Sequence, residues 1–199
     1  AKALATLVLT LRGTPFLYEG QEIGMTNFDY TDMQKVRDVE SINIWNIGKR
    51  LHLPRSLRWR MIKTKSRDNA RTPMQWDDSP NAGFTTGTPW LSVNGNYPRI
   101  NAARQENDPD SVLSYYRRLI AFRNDSKVLQ AGSFTQLFCG NGVYAYRREL
   151  NGESLTVVVS LAAAERPNPV SGTVVLSNYD RTEAPQRLAP YEALILREG

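Results

Sequence analysis

Histidine and cysteine are nearly missing from this chain of 199 residues: His52 stands alone, and so does Cys139. A single cysteine cannot form an internal disulfide, which suits a reducing compartment, and a cytoplasmic location is the expectation. A single histidine, set among Arg50, Leu51, Leu53 and Pro54 with no cysteine or carboxylate cluster beside it, argues against a zinc site or a Ser/His/Asp triad. It reads as an ordinary packed or solvated side chain, and neither a metal nor a cofactor is expected. Also lacking is any apolar run approaching the roughly 20 residues that cross a bilayer. No charged leader precedes a short apolar segment, so no membrane anchor or signal peptide is read.

What is present is the ordinary make-up of a packed globular protein, 41% hydrophobic and 23% charged. The formal charge of +5 raises the question of an acidic partner. The densest basic run, Arg55 to Lys65, places Leu57, Trp59, Met61 and Ile62 between its cations at helical spacing. That is the pattern of an amphipathic helix with a solvated basic face, without the interleaved aromatics of a strand-binding surface, so nucleic acid is not an expected partner.

The chain opens without a methionine, on AKALATLVLTLR, a helical stretch apolar on nearly every side that has to be buried between layers. Gly13 stops it. Thr14 to Tyr18 then reads as a short buried strand, followed at once by the polar, glycine-rich Glu19 to Gly24. A helix, a turn, a core strand and a loop at the strand's C-terminal end make the last step of a (β/α) barrel whose other strands lie outside the chain. The alternative, a small self-contained α/β domain, is weakened because one strand cannot make a parallel sheet.

From Met25 to about Lys65 the pattern loosens, with Asp29, Asp32, Asp38 and Glu40 among aromatics. Residues 66–107, rich in Gly, Pro, Asn and Trp, are too long for a simple connection and read as a functional loop. Asp108 is the expected N-cap of the next helix, with Pro109 at its first position and Val112, Leu113, Tyr116, Leu119 and Ile120 on one face, ending near Asn124. Beyond it the period becomes two: Phe134–Phe138, Val143–Leu150, Leu155–Leu161, Thr173–Leu176 and Ala193–Arg197 read as strands, with Asn141-Gly142 and Asn151-Gly152 as hairpin turns. The fold class expected is α/β plus all-β: the C-terminal end of a (β/α)8 barrel in residues 1–126 and a small antiparallel β-sandwich domain in residues 127–199.

The most specific stretch is SRDNARTPMQW, Ser66 to Trp76, followed by NAGFTTGTPW, Asn81 to Trp90. It gathers two guanidinium groups, a carboxylate, an amide and two indoles in one loop. Arginine forks hold vicinal hydroxyls or pin a carboxylate that does so, and aromatic faces stack on pyranose rings. By chemistry alone, Arg67 and Asp68 could equally form a purely structural pair.

Together with GTPFLYEGQEIGMTN (Gly13 to Asn27) and DVESINIWN (Asp38 to Asn46), this stretch is similar to segments of the alpha-amylase family, glycoside hydrolase family 13, in its oligo-1,6-glucosidase and dextran-glucosidase branch. The resemblance extends through SVLSYYRRLIAFR, Ser111 to Arg123. It implies a (β/α)8 barrel with a C-terminal β sandwich that hydrolyses alpha-glucosidic linkages with retention, using two carboxyl groups about 5 Å apart. The family's aspartate nucleophile, glutamate acid/base and stabilising aspartate all lie upstream of the first helix here, so no catalytic residue is assigned in this chain, and Glu22 is not promoted to that role. Carried over by motif, Arg71 corresponds to the arginine that closes the pocket on the terminal glucose, which makes such enzymes exo-acting. Arg67 and Asp68 shape the same loop; Asp38 and Glu40 line the outer, aglycone side. The expected partners are an alpha-glucoside oligosaccharide and the N-terminal part of the same enzyme, with no nucleic acid and no membrane. RLHLPRSLRWRMIK, Arg50 to Lys63, replaces the family's usual acidic helix, which leaves aglycone preference open. Trehalose-6-phosphate hydrolases and sucrose isomerases share much of the loop, and a non-catalytic binding or structural module is the reading from another class.

Overall fold

The computed structural model describes residues 1–197. Along the chain run helices α1 (Lys2–Thr10), α2 (Val39–Arg50), α3 (Arg55–Lys65), α4 (Ala102–Glu106), α5 (Val112–Asp125) and α6 (Lys127–Ala131). Strands follow: β1 (Ser133–Gly140), β2 (Val143–Leu150), β3 (Glu153–Ser160), β4 (Arg166–Pro167), β5 (Thr173–Ser177), β6 (Arg187–Leu188) and β7 (Ala193–Arg197). They divide into two compact units, one of Ala1–Tyr18 with the chain from Pro109 onward, the other of Glu19–Asp108. This cut by packing differs from the division at residue 126 read along the sequence, because α5 packs on α1.

In the first unit the strands form an antiparallel sheet in the order β1-β2-β3-β7-β5, with β4 and β6 as a separate pair. Its first two hairpins turn where Asn-Gly stands: Asn141 and Gly142 have φ of 52° and 77°, Asn151 and Gly152 52° and 84°. Two successive positive φ values match the right-handed strand twist. Alternation assigns the faces. Leu155, Val157, Val159 and Ile195 join Leu9, Tyr115, Leu119 and Leu129 of the helices, while Val158, Leu194 and Leu196 pack with Val143, Ala145 and Leu188 on the opposite side.

Polar groups set into this core meet partners there. Thr6 and Thr10, on the inner face of α1, share hydrogen bonds with the hydroxyls of Tyr115 (2.6 Å) and Tyr146 (2.5 Å). Arg123 donates to the carbonyls of Leu9 and Gly13 at 2.7 and 2.8 Å. Arg148, completely buried, donates to those of Thr10, Gly132 and Ser133 at 2.6, 3.0 and 2.9 Å. A helix ends with unpaired carbonyls and a partial negative charge, and two guanidinium groups answer both at the end of α1.

Thr14–Tyr18 is extended and pairs with no strand among the described residues, leaving Phe16 85% exposed; a parallel strand needs a neighbour at its edge, and the described strands pair antiparallel among themselves. Two expectations need correction here. α1 is not buried all round, since Leu4 and Val8 are 54% and 37% exposed. The cap of α5 is Ser111, whose hydroxyl accepts from the Ser114 amide at 3.0 Å, rather than Asp108.

The second unit has a smaller apolar centre of Tyr30, Val36 and Ile62, onto which the paired helices α2 and α3 fold with Trp45 and Trp59 at 4.6 Å. Much of the rest is irregular and tied by side-chain amides. Asn94 donates to the Thr26 and Asn27 carbonyls, Gln105 to that of Ile23, and Asn101 both donates to the Tyr97 carbonyl and caps α4.

Candidate functional site

Within the second unit, the start of α2 and the segment after α3 are knotted by two buried aspartates that serve each other's backbone. Asp68, with no exposed surface, accepts from the amides of Arg37 and Asp38 at 2.7 and 2.9 Å. Asp38 in return accepts from the Arg67 amide at 3.2 Å, the Ser41 hydroxyl at 2.7 Å and the Ser66 hydroxyl at 3.5 Å. Ser66 caps the 3-10 turn Arg67–Ala70 by accepting from the Asp68 amide. Each carboxylate therefore sits at the amide-rich start of a helical segment, where negative charge is favoured.

The electrostatics follow from that placement. Burial opposes ionisation of Asp38, but the Ser41 hydroxyl and the backbone amides outweigh it and hold the carboxyl below its usual value. Tyr30, 2% exposed, has its hydroxyl pushed up, first by burial and then by the negative charges of Asp68 and Asp38. A phenol in that position stays neutral.

The guanidinium groups point the other way, into solvent. Arg67 pairs with Glu40 at 3.2 Å, and both side chains are more than half exposed. Arg71 lies 3.7 Å from the second oxygen of Asp68, which takes no hydrogen bond. Sequence reasoning ranked Arg71 ahead of Arg67. In the structure Arg71 also neutralises a buried carboxylate, whereas the Arg67–Glu40 pair is of the exposed kind, worth about 0–1 kcal/mol, so Arg67 is the freer of the two. Asp38 and Asp68 are engaged by backbone amides and face no solvent, which fits organising roles. Trp76 and Trp90 are 53% and 67% exposed, as stacking on a sugar requires.

Two features escaped the sequence reading. α2 was not seen as a helix, although Asp38 before Val39 is an N-cap signal. The knot joins residues about 30 apart, a spacing that no local rule reports. Between them, these groups can bind hydroxyls through Arg67, Arg71 and Glu40, while the two aspartates are buried and taken up by backbone amides.

This loop and the sheet beyond it have relatives. The catalytic-domain model of alpha-amylase matches residues 1–132. Over 207 residues the chain is 40% identical to the oligo-1,6-glucosidase of Halalkalibacterium halodurans, covering 98% of the chain and 37% of that protein. It is 37% identical to the trehalose-6-phosphate hydrolase of Bacillus subtilis, with 99% and 37% covered. Among solved structures, the trehalulose synthase MutB from Pseudomonas mesoacidophila MX-45 superposes with a TM-score of 0.89 at 40% identity, over 98% of this chain and 37% of that one. The chain spans little more than a third of the length of these relatives.

Proposed function

Because this chain belongs to the alpha-amylase family and has the fold of a barrel end followed by an antiparallel β domain, we propose that it is part of a retaining, exo-acting alpha-glucosidase for short alpha-1,6-linked glucosides. Residues 1–126 contribute the end of the barrel with the substrate loop, and residues 127–199 the C-terminal domain. The observation that carries the reading is the Asp38–Asp68 knot, which turns Arg67 and Arg71 outward from one rigid base. Held at its root, the Arg71 fork contacts the hydroxyls of the terminal glucose with little entropy left to lose, and Arg67, paired with Glu40, supports the loop beside it. Glu40 flanks them on the side of the leaving sugar. The bond-breaking carboxyl pair comes from the N-terminal part of the enzyme, so the isolated chain is inactive: binding groups alone supply a small share of the many orders of magnitude required.

The second reading, a trehalose-6-phosphate hydrolase or a sucrose isomerase, has support from relatives almost as similar as the first. One set of assays separates them: the complete parent protein is given isomaltose, trehalose 6-phosphate and sucrose in turn. Release of alpha-glucose from isomaltose at the highest kcat/KM is the expected result. Preference for either other substrate moves the assignment to the second reading, and inertness toward all three overturns it. In the same protein Arg71→Lys, corrected for folded fraction, is expected to lose about 2–4 kcal/mol in kcat/KM, the cost of a charged hydrogen bond that tightens in the transition state, and Arg67→Lys less. Wild-type kcat/KM in both variants would sink the site assignment.

A further inference from the structure

The outer lip of the proposed site is the Arg67–Glu40 pair, with Glu40 on the first turn of α2. The aspartate knot fixes where α2 begins. Ile42, Ile44 and Trp45 seat the helix on the small apolar centre, and how it is turned about its own axis decides where Glu40 points. A roll of about 20° carries a side-chain tip some 2 Å sideways on a helix of ordinary radius, enough to separate an ion pair whose closest atoms are now 3.2 Å from each other.

Farther along, α2 is also held by Arg58 of α3. Its guanidinium lies over the Trp45 ring, 4.4 Å from the centroid, and its Nε donates to the Leu53 carbonyl at 3.2 Å. Its stem crosses α2 at the buried Gly48, where an added Cβ would meet the Arg58 Cγ at 2.9 Å and Cδ at 3.0 Å. Trp59, one residue on, stacks on Trp45. A face of α2 two turns beyond Glu40 is thus gripped by one arginine through a stacking contact, a carbonyl and a glycine-width gap. Planarity lets the guanidinium stack and bond at once.

We infer that Arg58 is a positioning residue that fixes the roll of α2, aims Glu40 at Arg67, and thereby selects the leaving group of the substrate. The inference rests on the glucosidase reading above. Arg58 touches neither Glu40 nor Arg67 and acts only through the helix, so it changes discrimination between leaving groups while leaving recognition of the glucosyl unit intact.

The test compares isomaltose with p-nitrophenyl alpha-glucoside in the complete enzyme: the glucosyl unit is the same and the leaving group differs. Arg58→Ala is expected to lower the isomaltose to p-nitrophenyl ratio of kcat/KM about tenfold, mainly by raising KM for isomaltose. Gly48→Ala, which displaces Arg58 from the opposite side, should lower the ratio in the same sense, and Arg58→Lys, which keeps a cation near Trp45 but loses the planar stack and the bond to the Leu53 carbonyl, should lower it part of the way. A merely structural role would lower Tm and leave the ratio at the wild-type value in all three variants, which overturns the inference. Failure of the wild type on both substrates would instead overturn the glucosidase reading, and the positioning role with it.

Discussion

The two units of this chain are held together by different chemistry. The first, with its five-stranded sheet and three helices, surrounds its polar groups with apolar ones: tyrosine hydroxyls meet threonines, and arginines meet carbonyls, inside a wide core. The second has a small apolar centre and relies on ionised aspartates and side-chain amides to fasten irregular backbone. The proposed site lies in the second kind of structure, where side-chain direction can be set residue by residue.

The sharpest way to break the comparison is to remove from each unit the kind of contact that holds it. Leu119, fully buried between α1 and the sheet, is expected to lose about 3–4 kcal/mol on change to Ala, the usual cost of a large core truncation. Asp68→Ala strips two backbone amides of their charged acceptor and leaves Arg71 without its partner, for about 2–4 kcal/mol. Hydrogen exchange resolved along the sequence should show loss of protection in α1, α5 and the sheet for Leu119→Ala, and in residues 28–71 for Asp68→Ala. Equal spreading of both effects over the whole chain would show that the units do not differ in this way.

On the acid side the pH dependence should divide along the same line. Asp38 titrates below its usual value in the folded state, so its contribution is complete above the ordinary aspartate pKa near 4 and is lost as pH falls further. Tyr115 has the opposite sense: burial pushes its hydroxyl up to about 12, against the Thr6 hydrogen bond and the Arg118 charge. Its contribution is complete below about pH 10 and disappears as pH rises toward 12, a loss of about 2–3 kcal/mol. The second unit should therefore open first in acid, whereas alkali acts on both, through Tyr115 in the first unit and Tyr30 in the second. Asp38→Asn should flatten the acid limb, and Tyr115→Phe should reduce the alkaline one, to which the buried Tyr30 and Tyr146 also contribute; an alkaline limb unchanged by Tyr115→Phe would exclude this tyrosine as a source.

How much of this was legible in the sequence depended on how local the cause was. The β domain could be read because each strand carries its own alternation and each of its first two hairpins its own Asn-Gly, and α3 because cations and apolar residues alternate at helical spacing. Phe16 and Tyr18 signal a strand from their own sequence, but its pairing depends on neighbours that no local pattern supplies. The knot of Asp38 and Asp68 and the grip of Arg148 on α1 were invisible for a common reason. In both, a side chain satisfies backbone groups brought near only by the fold, and Asp38 in DVESIN looks no different from a solvent-facing acid. Resemblance to a family located the loop, while the structure showed which of its charged groups are buried and which are free.

The smallest expected effect lies at the turn between α2 and α3, and it sharpens the comparison from the backbone side. The first two hairpins of the first unit place glycine at one of their two left-handed positions, Gly142 and Gly152. α2 instead closes with Leu53 donating to the Gly48 carbonyl at 2.9 Å and His52 to that of Lys49 at 3.2 Å, the pair of bonds of a helix stop that requires its middle residue to be left-handed. That residue is His52, at φ 54°. A side chain there costs roughly 1–2 kcal/mol in steric strain, and glycine would remove it while adding about 0.4–1 kcal/mol of unfolded-state freedom to be lost on folding. His52 is exposed, so little packing is at stake. The balance favours His52→Gly by about 0.5–1 kcal/mol, read as slower hydrogen exchange in α2 and α3 with no change in the sheet. A net loss of stability would mean that the imidazole contributes more at this turn than its exposure indicates.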